Sequence, residues 1–214
     1  MDYDDKRGWT LAVGVAALAG YVDAIGFLKL GGFFVSFMSG NSTRLGVSLA
    51  GGLKPVWVAA ALIVTFVVGV IVGSLMGHFA QIHRRPAVLV LVSVLLAGAA
   101  VLGLFVAKDA AIAAMTLAMG AVNGVFEEEG AVGDGPRYIN GVRNNLGSNW
   151  VGTFVRDVRL YWSPRIFLWI SLVTGGVSGA AVFSQLGLSA LWVASAASAL
   201  LALFTWVGGA PRHF

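Results

Sequence analysis

Of the 214 residues, 58% are hydrophobic and 11% charged, the mean hydropathy is +0.85 and the formal net charge is +4. Soluble domains carry about 25% charged residues, so a water-soluble globular fold is excluded. The lack of cysteine removes disulfides, thiolate nucleophiles and Cys-ligated metals, and the small cationic surplus, with no basic patch interleaved with aromatics, argues against a nucleic-acid partner.

The first apolar run, Trp9–Leu28, is long enough to span a bilayer. Lys6-Arg7 ahead of it and Ala17-Leu18-Ala19 within it imitate a secretory signal, but Asp2, Asp4 and Asp5 do not suit a basic leader. A counterpart, Ala110–Phe126, lies in the second half, so the run is expected to be the first span. It carries Asp23. A carboxylate at the centre of a span costs about 2.5–3.5 kcal/mol on insertion scales and marks a candidate functional residue. Two roles fit: a proton or cation coupling site, or a structural partner for Arg44 or for backbone groups of the segment that follows.

That segment contains Gly31-Gly32, the strand-like Phe33-Phe34-Val35-Ser36-Phe37, and the polar motif Phe37-Met38-Ser39-Gly40-Asn41-Ser42-Thr43-Arg44-Leu45-Gly46. A helix is expected to begin near Ser39-Gly40-Asn41 and to run through Arg44 and Val47. The second span, Val56–Met76, carries Gly69-x-x-x-Gly73-x-x-x-Gly77, a small-residue face for close helix approach. Such a face suits a homodimer or packing against the motif segments within one subunit. His78 and His83 follow without ligand spacing, as expected at a membrane edge, and Ala87–Val106 is the third span.

The second half repeats the order. Ala110–Phe126 places Asn123 where the first half has Asp23. The motif Tyr138-Ile139-Asn140-Gly141-Val142-Arg143-Asn144-Asn145-Leu146-Gly147 lies 101 positions after the first, Ile166–Phe183 carries Gly175-x-x-x-Gly179, and Leu188–Val207 is the last span. Glu127-Glu128-Glu129 reads as a solvated loop. Trp57, Trp162, Trp169, Trp192 and Trp206 stand mostly near span ends, as interfacial belts do. The chain reads as a single membrane domain, residues 1–214, with repeat one at 9–107 and repeat two at 110–208.

Topology turns on whether the two motif segments cross the membrane. If each dips in and returns, Lys6, Arg7, Arg84, Arg85, Arg137, Arg143, Arg156, Arg159, Arg165 and Arg212 face one side, and Lys29, Arg44, Lys54 and Lys108 the other. Full crossings flatten that split. The positive-inside rule therefore predicts an all-α polytopic membrane protein with six transmembrane helices in two inverted three-helix repeats. Each repeat carries a re-entrant, broken-helix segment, and both termini are cytoplasmic.

Residues 12–52 also carry a family likeness. Ala19-Gly20-Tyr21-Val22-Asp23-Ala24, Gly31-Gly32 and Phe34-Val35-Ser36-Phe37-Met38-Ser39-Gly40-Asn41 resemble the signature of the YoaK-like family of small bacterial membrane proteins. The resemblance runs over nearly the whole chain and implies a six-span inner-membrane protein with a transport role. The second motif departs from the family's Thr-Gly-like echo, reading Asn140-Gly141 followed by Arg143, Asn144 and Asn145.

Paired Gly-interrupted polar segments in a duplicated membrane protein point to a binding site. A helix starting at depth leaves N–H groups unpaired at its positive end. Gly40 and Gly141 would admit a ligand to that backbone. Ser36, Ser39, Asn41, Thr43, Asn140 and Asn144 would supply hydroxyls and amides, and Arg44 and Arg143 would attract an anion. With Asp23 and Asn123 these form the expected substrate site. No nucleophile–base pair, paired carboxylates, metal set or phosphate-binding Gly-Lys-Ser motif occurs, so neither an enzyme nor a cofactor is expected. The expected function is a secondary transporter or channel for a small polar or anionic solute, with Asp23 the candidate for proton coupling. The alternative is a non-transporting membrane scaffold or sensor.

Overall fold

The computed structural model describes residues 6–51, 56–105, 107–126 and 158–208. Its helices are α1 (Lys6–Leu30), α2 (Met38–Gly51), α3 (Val56–Ala80), α4 (Arg84–Leu104), α5 (Lys108–Ala121), α6 (Val158–Leu186) and α7 (Leu191–Gly208). Short 3₁₀ turns cover Gln81–His83, Val122–Val125 and Gly187–Ala190. The chain is an all-helical membrane protein, and no strand occurs among the described residues. The strand-like expectation for residues 33–37 is therefore corrected: this stretch is irregular backbone whose N–H groups are taken by side chains rather than by a neighbouring strand.

Three stretches are long and apolar enough to cross a membrane: Arg7–Leu30, Val56–Leu104 and Ile166–Val207. The last two run to 49 and 42 residues. An unbroken helix of that length would be about 60–75 Å long, twice the roughly 30 Å hydrocarbon core. The 3₁₀ turns divide them, with Gln81 at φ 43° and Gly187 at φ 57° in the left-handed region. At the first of these turns the His83 ring lies 4.9 Å from Trp206 of α7.

Helix α3 shows why these helices suit lipid. Its inward face is small and buried at Ala59, Gly69, Gly73 and Gly77, while Val64, Val67, Ile71 and Leu75 are 50–63% exposed. An apolar face of that kind is unfavourable in water and favourable in hydrocarbon.

The glycines define the crossings. A Cβ on Gly69 or Gly73 would strike the carbonyls of Leu117 and Ala121 in α5, and one on Gly175 or Gly179 the carbonyls of Ala17 and Tyr21 in α1. From the other side, Gly120 abuts the Phe66 carbonyl and Gly20 the Leu172 carbonyl. The small-residue faces thus pack within the chain, against α5 and α1 rather than against the first motif segment. In both crossings the residue numbers rise together, so α3 runs parallel to α5 and α1 parallel to α6. The α4–α7 pair is antiparallel: the Ser198 hydroxyl donates to the Leu89 carbonyl at 2.8 Å, and Ser195 meets Ser93. That last contact is reciprocal. Each serine hydroxyl reaches the other's backbone carbonyl at 2.9 Å, and the two hydroxyls lie 3.1 Å apart.

Candidate functional site

Helix α1 ends where Gly31 and Gly32 take φ values of 66° and 108°. The Gly32 N–H closes on the Phe27 carbonyl at 2.9 Å, the six-to-one bond of a Schellman cap. The chain then turns back along α1. Val35 packs on Gly26, and Ser36 reaches the level of Asp23, seven residues below the end of α1. At 1.5 Å per helical residue the descent is about 10 Å. Helix α2 climbs out again, with Asn41 beside Phe34 and Arg44 beside Gly32.

Irregular backbone inside an apolar fold needs partners for its polar groups, and the signature residues supply them. Asp23 Oδ1 accepts the N–H groups of Val35 at 2.8 Å and Ser36 at 2.7 Å, and Oδ2 accepts the Ser36 hydroxyl at 2.5 Å. Asn41, fully buried, grips Phe34 from both sides: its amide donates to the Phe34 carbonyl at 2.6 Å and its oxygen accepts the Phe34 N–H at 3.1 Å. Gly40 sits under the Phe34 and Phe37 rings, where a Cβ would come 2.6 Å from Phe37 Cδ1. The Phe27, Phe34 and Phe37 rings stack in sequence at 5.1 and 5.3 Å. These residues form one clamp on the descending loop.

The remaining candidates divide. The Arg44 guanidinium lies 5.0 Å over the Phe33 ring, and Asp23 is engaged by the loop instead. Ser39 and Thr43 are exposed on α2, with the Thr43 hydroxyl on its own helix at the Ser39 carbonyl, 3.1 Å away. The helix starts at Met38, one residue ahead of the sequence expectation. Asn140, Gly141, Arg143 and Asn144 lie outside the described residues.

Ser36 also lines a cavity of about 550 Å³ between the α1–α6 and α3–α5 pairs. Small residues of α1, Ala12, Ala16 and Ala19, form one wall, with Leu168, Trp169 and Leu172 of α6 beside them. Phe66 of α3 and Met119 of α5 form the opposite wall, and Asn123 and Phe126 stand at the end of α5. The structure thus brings Ser36 and Asn123 to one cavity, while Asp23 stands behind Ser36. Asn123 donates its amide to the Met119 and Gly120 carbonyls at 3.3 and 2.9 Å. Trp169, 68% exposed, lines this cavity as well. Its place near a span end marks it in the sequence only as a belt residue; the signal for the wall is the Ala12–Ala16–Ala19 spacing on one helical face.

The family described as protein of unknown function (DUF1275) matches residues 11–204. A UPF0700 transmembrane protein of Rhizobium meliloti (strain 1021) is 35% identical over 196 residues, covering 91% of this chain and 84% of that protein. No solved structure matches. The chain belongs to the DUF1275 family of membrane proteins, as its resemblance to YoaK-like proteins implied.

Proposed function

We propose that this DUF1275 protein is a six-span transporter or channel for a small solute, built as two inverted repeats around the cavity. The observation that carries the reading is the cavity itself. At about 550 Å³ it falls within the roughly 300–1,000 Å³ typical of small-molecule sites. It lies between two helix pairs that correspond position by position.

The correspondence supports the repeats. Positions 17, 20 and 21 of α1 match 117, 120 and 121 of α5, and 66, 69 and 73 of α3 match 172, 175 and 179 of α6, in contacts of the same kind. The helix directions inferred from the crossings alternate through α1, α3, α4, α5, α6 and α7, which leaves α2 and its loop as a re-entrant pair making no net crossing. With the N-terminus cytoplasmic, Arg84 and Arg85 fall inside and Lys108 outside, as the positive-inside rule favours. In this reading Asp23 anchors the re-entrant loop, a bacterial inner membrane is the setting, and the cavity lies on the solute's path.

Single cysteines in the naturally Cys-free chain test both parts. Arg85→Cys and Lys108→Cys should react with a membrane-impermeant thiol reagent from opposite faces; reaction from one face would sink the six-span reading. Ala16→Cys and Ala19→Cys, on the cavity wall, should be labelled from an aqueous face. Protection of both from either side would favour a non-transporting scaffold.

A further inference from the structure

Resting on the reading of the cavity as a point on the solute's path, we infer that the re-entrant hairpin, residues 31–51, is the gate on its own side of the membrane. It stays fixed to α1 and opens along an apolar seam against α3 and α5. The seam is a small core of its own: Leu30, Phe33 and Leu45 from α1 and the hairpin meet Ala59 and Leu62 of α3 and Ile112 of α5. It gathers the end of α1 with the starts of α3 and α5, and so lies at the outer face in this reading.

Each wall runs in the same order from the seam to the cavity. Along α1 it passes Leu30, then Ile25 and Val22, then Ala19; along α5, Ile112, then Met115, then Met119. The descending loop goes from Phe33 through Val35 to Ser36, and α3 goes from Leu62 to Phe66. Between the two levels Val22, Ile25, Val35 and Met115 are fully buried. Packing there is tight, since a Cβ on Gly26 would come 2.8 Å from Val35 Cγ1. The cavity is therefore shut toward the hairpin's face by packed side chains.

The hairpin touches both helix pairs that flank the cavity, so parting of the pairs at this end must free it from one of them. Its hold on α1 is polar: two N–H groups and a hydroxyl given to the Asp23 carboxylate, bonds that are costly to break in apolar surroundings. Within itself it is tied by Asn41 to the Phe34 backbone and by Arg44 over the Phe33 ring. Among the described residues no hydrogen bond joins it to α3 or α5. Apolar contact alone holds the seam, and in lipid such contact carries little hydrophobic driving force. The seam is the side that yields.

Labelling of Ala19→Cys from the outer face by a membrane-impermeant thiol reagent reads the opening of the seam. Leu62→Ala and Leu45→Ala should each speed it about tenfold or more, as expected when a leucine is cut from a packed contact. Leu96→Ala, at a fully buried position of α4 in the main core, should leave it unchanged. Amide exchange at Val35 and Ser36 should stay slow in Leu62→Ala, because the Asp23 clamp moves with the loop. Unchanged labelling in both seam variants would overturn the inference, as would an equal rise in Leu96→Ala. Faster exchange at Val35 and Ser36 alongside the labelling would overturn it too, since the hairpin would then be leaving α1. Labelling of Ala16→Cys and Ala19→Cys from the opposite face tests the solute path separately. If they react there while the seam variants change nothing, the gate falls and the path stands. If they are protected there while the seam variants speed outer labelling, the seam stands and the path falls.

Discussion

Asp23→Asn and Asp23→Ala should separate sharply if the carboxylate is a loop anchor. In Asp23→Ala the N–H groups of Val35 and Ser36 lose their shared acceptor, and Val35 is fully buried, so water cannot replace it. Each unsatisfied N–H costs about 1–3 kcal/mol, or roughly 2–6 kcal/mol for the two. At about 2–4 °C per kcal/mol for a chain of this size, Tm should fall on the order of 10 °C. Asp23→Asn keeps an oxygen for both N–H groups, and the Ser36 hydroxyl can rotate to accept from the new amide. What it loses is charge assistance, about 1 kcal/mol per bond. The assay is thermal unfolding in detergent together with amide hydrogen exchange over residues 33–38. Exchange there should accelerate strongly in Asp23→Ala and weakly in Asp23→Asn. If both variants exchanged alike, or neither moved Tm, the anchoring role would fail. If solute binding survived in Asp23→Asn but solute-driven transport vanished, titration at Asp23 would be favoured over anchoring.

Asn41→Ala should lower stability by about 2–6 kcal/mol, because both backbone groups of Phe34 are left unpaired. Asn41→Asp should be no milder, since it sets an oxygen against the Phe34 carbonyl; unfolding in detergent measures both. Gly20→Ala and Gly120→Ala, each placing a Cβ on a backbone carbonyl of the crossing helix, should cost about 1–3 kcal/mol apiece and nearly equal amounts. Gly98→Ala meets open space within α4 and should be neutral or stabilising by about 0.5–1 kcal/mol, so equal losses at all three positions would refute the close-packing account.

The glycine faces were legible because a small residue every fourth position leaves few physical uses other than close helix approach. Their partner was not: sequence offered the motif segments or a second copy, whereas the faces meet α5 and α1 of the same chain. The start of α2 was legible to one residue from Gly40 and the polar change around it. The roles of Asp23 and Asn41 were only half legible. Both are polar residues in an apolar run, and that pattern fits a ligand contact as well as it fits a backbone clamp. Deciding between them requires knowing that the chain doubles back and brings residues 34–36 to both side chains. Ser93 and Ser195 carried no signal, since a lone serine in a span is common and its partner lies 102 positions away. The cavity was equally hidden, because its wall is made mainly of alanines, leucine and aromatic residues that any span contains.

The two kinds of helix contact suggest how the proposed transport cycle would divide the molecule. In the α1–α6 and α3–α5 pairs, backbone meets backbone across glycines, leaving no side chain to rearrange, so each pair should move as a unit. The cavity lies between the two pairs, and α4 and α7 meet through the reciprocal Ser93–Ser195 contact, which joins equivalent points of the two halves. A contact of that kind sits where two rocking halves move least against each other. Ser93→Cys with Ser195→Cys should therefore form a disulfide readily, the hydroxyls they replace being 3.1 Å apart. The bridged protein should retain the solute-dependent change in thiol-reagent access at a third cysteine placed at Ala19. Loss of that change on bridging, with recovery on reduction, would show that α4 and α7 slide during the cycle and would move the pivot elsewhere.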